Sequence, residues 1–217
     1  MKTFVKALVF ASITILSTSM PALTQVEQRE LNMQLYKEVS GRYTPSDLHV
    51  TRLKELIKQG ADVNFHNPDG NSKTPLHAAV DNQNIAGVKV LLENGAQVTA
   101  SDNNKATPLH IACTEHEEEV VKLLLREKDI DINNSDPGYT PLYAAAFITG
   151  PIVVDLLMQH GASPNIAASN GETPLSFVQK YSKLLQPLIS GGYPPEGREE
   201  AEKHFSLIQT LLEAKEK

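Results

Sequence analysis

The 217 residues contain no tryptophan, only 6% aromatic side chains and a single cysteine, Cys113. One thiol cannot form an internal disulfide, which excludes a small cross-linked scaffold. Positive charge is also scarce: 20 Lys and Arg stand against 26 Asp and Glu, for a net charge of −6. No Lys/Arg cluster recurs on one face. Nucleic acid and anionic lipid both need basic patches, so neither is an expected partner.

Catalytic and metal motifs are missing as well. There is no His-Glu-x-x-His, no glycine-rich phosphate loop, no Gly-x-Ser-x-Gly and no Cys-x-x-Cys. His116-Glu117-Glu118-Glu119 has only the composition of a metal site. Its acids open a helix, where negative charge offsets the helix dipole. Asp129-Ile130-Asp131-Ile132-Asn133 begins like a calcium loop, but the sixth and twelfth positions hold Asn134 and Thr140. An EF-hand needs glycine and glutamate there. Asn133-Asn134-Ser135 is a glycosylation sequon, relevant only in a eukaryotic source. The expectation is a protein that is not an enzyme, with no catalytic residue, no metal and no cofactor.

Long apolar runs are also lacking. Lys2 and Lys6 precede Ala7 to Leu16, and Ser17-Thr18-Ser19 then leads to Met20-Pro21-Ala22-Leu23-Thr24. A basic start, a short apolar centre and a small-residue exit read as a secretory signal over residues 1–24, cut between Ser19 and Gln25. The apolar centre is short for a membrane span. An uncleaved anchor helix is the alternative. The pattern has a bacterial look, so the expected address is the periplasm or, failing that, release from the cell. Losing Lys2 and Lys6 leaves 18 basic residues against 26 acidic ones, a net charge of −8.

What the chain does have is one phrase written four times. Thr74-Pro75-Leu76-His77-Ala78-Ala79 recurs as Thr107-Pro108-Leu109-His110-Ile111-Ala112 and as Thr140-Pro141-Leu142-Tyr143-Ala144-Ala145. A worn copy is Thr173-Pro174-Leu175-Ser176-Phe177-Val178, and each step is 33 residues. A fixed period of this size means stacked units, each burying its neighbour's face. Threonine before proline starts a helix: the hydroxyl can cap free N–H groups, and proline suits the first helical position. The leucine that follows is the first buried residue, and the small residues after it let helices approach closely. A second apolar run follows each phrase: Val88-Lys89-Val90-Leu91-Leu92, Val120-Val121-Lys122-Leu123-Leu124-Leu125 and Val153-Val154-Asp155-Leu156-Leu157. Gly95 and Gly161 stand where a helix C-cap wants a positive φ.

Phrase and period together resemble the ankyrin repeat. The resemblance implies an all-α solenoid of stacked helix-turn-helix units with β-hairpin or turn loops. The units expected are an N-terminal cap over 25–69, with helices at Val26 to Val39 and around Leu53 to Lys58, and repeats over 70–102, 103–135 and 136–168. A modified C-terminal repeat spans 169–217 and carries an inserted loop at about 182–203, because Leu207 arrives about 21 residues late against the 33-residue period. The loop signal is Ser190-Gly191-Gly192-Tyr193-Pro194-Pro195. Residues 64–73 hold two more residues than a regular loop, and Lys128 to Asn133 lacks a capping glycine. The family uses the histidine of the phrase to tie neighbouring turns, which implies a structural role for His77 and His110.

The resemblance also implies the function of a protein-binding module and the face that does the binding: loop tips and the exposed side of the first helices. The residues at those positions are Lys73, Asp81 and Asn82, then Thr114 and Glu115, then Tyr139, Tyr143, Phe147 and Ile148. Tyr139, Tyr143 and Phe147 are four apart and share a stripe. Tyr143 replaces the histidine, and Phe147 and Ile148 replace polar residues. The expected partner is a protein, bound by a monomer that does not span a membrane once the signal is removed. The readings that remain are an envelope protein holding one partner, a secreted effector binding a host protein, packing rather than binding at Phe147, and an enzyme with a cryptic site.

Overall fold

A computed structural model describes residues 23–41, 47–115, 117–148, 151–190 and 198–213. Most of the signal segment (residues 1–22), His116 and the Tyr193-Pro194-Pro195 stretch lie outside the described residues. Ten helices are described: α1 Gln25–Val39, α2 Asp47–Lys58, α3 Pro75–Asp81, α4 Ile85–Glu93, α5 Pro108–Thr114, α6 Glu118–Leu124, α7 Pro141–Ile148, α8 Pro151–Gln159, α9 Pro174–Ser190 and α10 Arg198–Glu213.

Each odd-numbered helix packs on the even-numbered helix that follows it. The odd helices then pack on one another in chain order, and so do the even ones. The result is a two-layer, all-α ankyrin-type solenoid of five helix pairs. Its core is one continuous cluster running from Leu31 and Leu35 to Ile208 and Leu212. The leucine of every phrase is in it, with Leu76, Leu109 and Leu142 fully buried. No strand occurs among the described residues, so the hairpin loops reduce to turns. Three of these turns are closed by a backbone bond across the base: Asn67 N–H to Lys73 O (3.1 Å), Asp102 N–H to Ala106 O (3.0 Å) and Ala168 N–H to Glu172 O (2.8 Å).

The phrase works locally as its chemistry dictates. Thr74 is extended and caps α3, its Oγ1 accepting from the His77 N–H, with Pro75 inside the first turn. Thr24 and Glu27 form the same kind of reciprocal cap on α1. The extra length of the 64–73 loop is taken up by Asn71 and Ser72, both left-handed at φ 57° and 56°. Gly95 and Gly161 end α4 and α8 at φ 81° and 94°. With Lys128 at the matching position, α6 stops at Leu124, two residues earlier in register than α4 and α8.

The C-terminal unit differs from expectation. An inserted loop is expected over about 182–203, but α9 runs on to Ser190 and α10 starts at Arg198. No glycine interrupts Tyr181 to Ser190, and the first helix of this unit runs through Pro187 instead of ending before it. The break in the pattern narrows to residues 191–197.

Candidate functional site

The histidines set the spacing of the face. His77 Nδ1 accepts from the Thr74 N–H (3.2 Å) and hydroxyl (2.8 Å), and its Nε2 donates to Ala106 O in the next unit at 3.1 Å. His110 repeats this with Thr107 and donates to Tyr139 O at 3.1 Å. One ring nitrogen accepts and the other donates, so each ring is neutral. Burial pushes the His77 imidazole down to about 4, partly opposed by the Ala106 carbonyl. Burial lowers His110 too.

Tyr143 takes the histidine's place in the third phrase and still reaches the next unit. Its hydroxyl donates to Glu172 Oε2 (3.3 Å) and accepts from Asn170 Nδ2 (3.3 Å). Burial raises the Tyr143 phenol, as it does that of Tyr139. The Lys180 ammonium beside Glu172 holds that carboxyl below its usual range.

A run of rings follows. His110 meets Tyr139 edge-on at 5.6 Å, and Tyr139 lies 6.5 Å from Tyr143. Tyr143 and Phe147 both pack on Phe177 of the next unit, at 5.3 and 4.9 Å. Tyr181 closes the run 4.3 Å from Phe177 and 6.2 Å from Phe147. Phe177 is buried, whereas Phe147 keeps 53% of its surface in water and Tyr181 keeps 37%. Ile152, at the start of α8, is also 53% exposed. Packing and exposure therefore coexist at Phe147: one side of the ring rests on the neighbouring unit and the other is open.

The remaining sequence-named positions fall on the first-helix layer or the turns beside it and differ in what occupies them. Lys73 Nζ donates to Asp81 at 2.7 Å, so these two saturate each other. Asn82 turns back to the Ala78 carbonyl and Thr114 to the Ile111 carbonyl. Glu115 is exposed and makes no ion pair among the described residues. Ile148 ends α7, and its side chain lies outside the described residues. The structure thus brings Tyr139, Tyr143 and Phe147 into one strip and leaves the first repeat polar and self-paired. Phe177 and Tyr181 also belong to the strip, and the register of the repeats does not single them out. The available signal was residue type: Phe177 stands where the other phrases carry Ala78, Ile111 and Ala144.

Among the described residues no group of three His, Cys, Asp or Glu is placed to hold a metal ion. No described helix is long and apolar enough to cross a membrane. Cys113 is fully buried beside Ala112, and burial raises its thiol far above the ordinary range, so it is unreactive.

The repeats also match known proteins. A family model for ankyrin repeats in three copies matches residues 47–136, and one for the single ankyrin repeat matches 138–169. Together they cover more than half of the chain, which belongs to the ankyrin repeat family. The chain is 34% identical over 79 residues to the Arf-GAP with coiled-coil, ANK repeat and PH domain-containing protein 2 of both Rattus norvegicus and Mus musculus. That match covers 36% of this chain and spans only 10% of those relatives. It is 28% identical over 148 residues to the putative ankyrin repeat protein YahD of Escherichia coli (strain K12), covering 64% of this chain and 73% of that protein. The family makes the chain a protein-binding module.

Proposed function

We propose that the chain is a non-enzymatic module that holds one protein partner through the aromatic strip of its third and fourth phrases, outside the cytoplasm in the bacterial envelope. The observation that carries the reading is Phe147: a large apolar ring more than half in water, on the face where this family binds, at a position filled by Asp81 and Thr114 in the two preceding repeats. Exposed, partly anchored aromatic rings are the material of binding hot spots, because little side-chain freedom remains to be lost on contact. The address rests on the basic, apolar and small-residue pattern of residues 2–24. Likeness to a bacterial protein over much of its length supports the source.

The test is affinity capture from the native envelope, comparing the wild-type chain with a Tyr139→Ala/Phe147→Ala variant. One protein retained by the wild type and lost with the variant supports the reading. Equal capture by both would move the site off the strip. A partner found only in extracts of a host organism would replace the envelope address with that of a secreted effector.

A further inference from the structure

We propose, resting on that reading, that the partner segment is cationic as well as apolar: an arginine or lysine set beside an aromatic or aliphatic side chain, the cation over Glu115 and Glu117 and the apolar group over Phe147.

The charge around the strip is what points to this. Several lysines of the array are already paired. Lys73 is closed onto Asp81, Lys180 onto Glu172, Lys89 onto Glu119 and Lys122 onto Glu118. Glu115 and Glu117 make no ion pair among the described residues. They flank the corner between α5 and α6, and each carboxylate repels the other: the Glu117 carboxyl is raised, first by partial burial and then by Glu115. An incoming cation would relieve that repulsion.

Glu115 also has the right address. It follows Thr114, which holds on α5 the register position that Phe147 holds on α7, and the two helices pack side by side. Packed helices lie about 8–10 Å apart, within reach of one extended dipeptide or one arginine side chain. The acidic pair at α5 gives the bound segment a direction, cationic end toward α5. The rings add to the attraction, since guanidinium and ammonium groups are drawn to the faces of Tyr and Phe. The overall acidity of the chain favours the same partner during encounter.

The test is selection of randomised displayed peptides on the immobilised full chain, followed by binding titrations of the enriched peptides. Enriched peptides should carry Arg or Lys close to an aromatic or aliphatic residue. Phe147→Ser should weaken them about tenfold. Glu115→Gln/Glu117→Gln should weaken them several-fold and flatten the salt dependence, with an unchanged melt. Glu115→Lys/Glu117→Lys should redirect selection toward acidic peptides. Peptides that need Phe147 but show no cationic bias overturn this inference and leave the aromatic site standing. Peptides indifferent to Phe147→Ser overturn the aromatic site itself. Failure to enrich any peptide rules out recognition of a short segment.

Discussion

His77 is the residue on which the most physics converges. It caps its own helix through Nδ1 and ties the next unit through Nε2. The Nδ1 bond requires the neutral ring, since a protonated Nδ1 cannot accept. In the unfolded chain the imidazole titrates near 6.5, and in the folded chain at about 4. Between those values the unfolded state holds the extra proton, so acid favours unfolding, and stability rises with pH across the window. The full shift corresponds to about 3 kcal/mol. Urea midpoints should therefore fall between neutral pH and pH of about 4.5, and His77→Asn should be less stable at neutral pH yet show a shallower decline. A wild-type midpoint that does not move with pH would contradict the buried neutral ring. Gly138 is a second single-residue test. It sits at φ +95°, its carbonyl accepts from the Ser169 N–H at 2.7 Å, and a Cβ there would lie 3.0 Å from Ser169 Oγ. Gly138→Ala combines left-handed strain with this contact and should cost more than about 1 kcal/mol. Gly95→Ala, at φ +81° with open space around it, should cost about 1 kcal/mol from strain alone. Chemical denaturation of both variants compares the two costs.

At the scale of elements, the sequence was legible wherever one residue type forces one local conformation. Thr-Pro starts helices, Gly95 and Gly161 end them, and the period places Leu76, Leu109 and Leu142 in the core. Legibility failed where continuation competes with termination. The glycine-proline run after Ser190 signals a loop, and Pro187 would ordinarily interrupt a helix, yet α9 runs through it, so the first helix of the last unit absorbs nine residues of the expected insertion. The binding face was legible in its register and not in its chemistry. Spacing placed Lys73 and Asp81 on it as readily as Phe147, because an ion pair between two loop-and-helix positions eight residues apart leaves no periodic mark. Packing of Phe147 on Phe177 crosses from one unit to the next and likewise needs coordinates. Phe147 is half in water, so Phe147→Ala should change stability by less than about 1.5 kcal/mol, far below the 3–5 kcal/mol of a buried phenylalanine truncation. A thermal melt reads this directly, and a loss of the larger size would show that the ring is a core residue.

The whole molecule is a line of nearest neighbours, so its stability passes from unit to unit. Leu109 is fully buried in the central repeat, and its phrase touches units on both sides. Leu109→Ala should cost about 2–5 kcal/mol. It should also weaken the coupling between the N-terminal and C-terminal units, broadening the denaturation curve or splitting it into two steps. A sharp single transition shifted by the same free energy would mean that the array remains cooperative across the defect. Binding is asymmetric along the same line: the first repeat spends its charges internally, while the third and fourth phrases leave rings in water. The most direct test is the ratio of partner affinities for Phe147→Ala and Asp81→Ala, measured on the captured partner with both variants folded. Phe147→Ala should weaken binding by more than about 1 kcal/mol, at least about fivefold, and Asp81→Ala should leave it within about twofold. The reverse order, or equal small effects, would contradict an aromatic site on the third repeat.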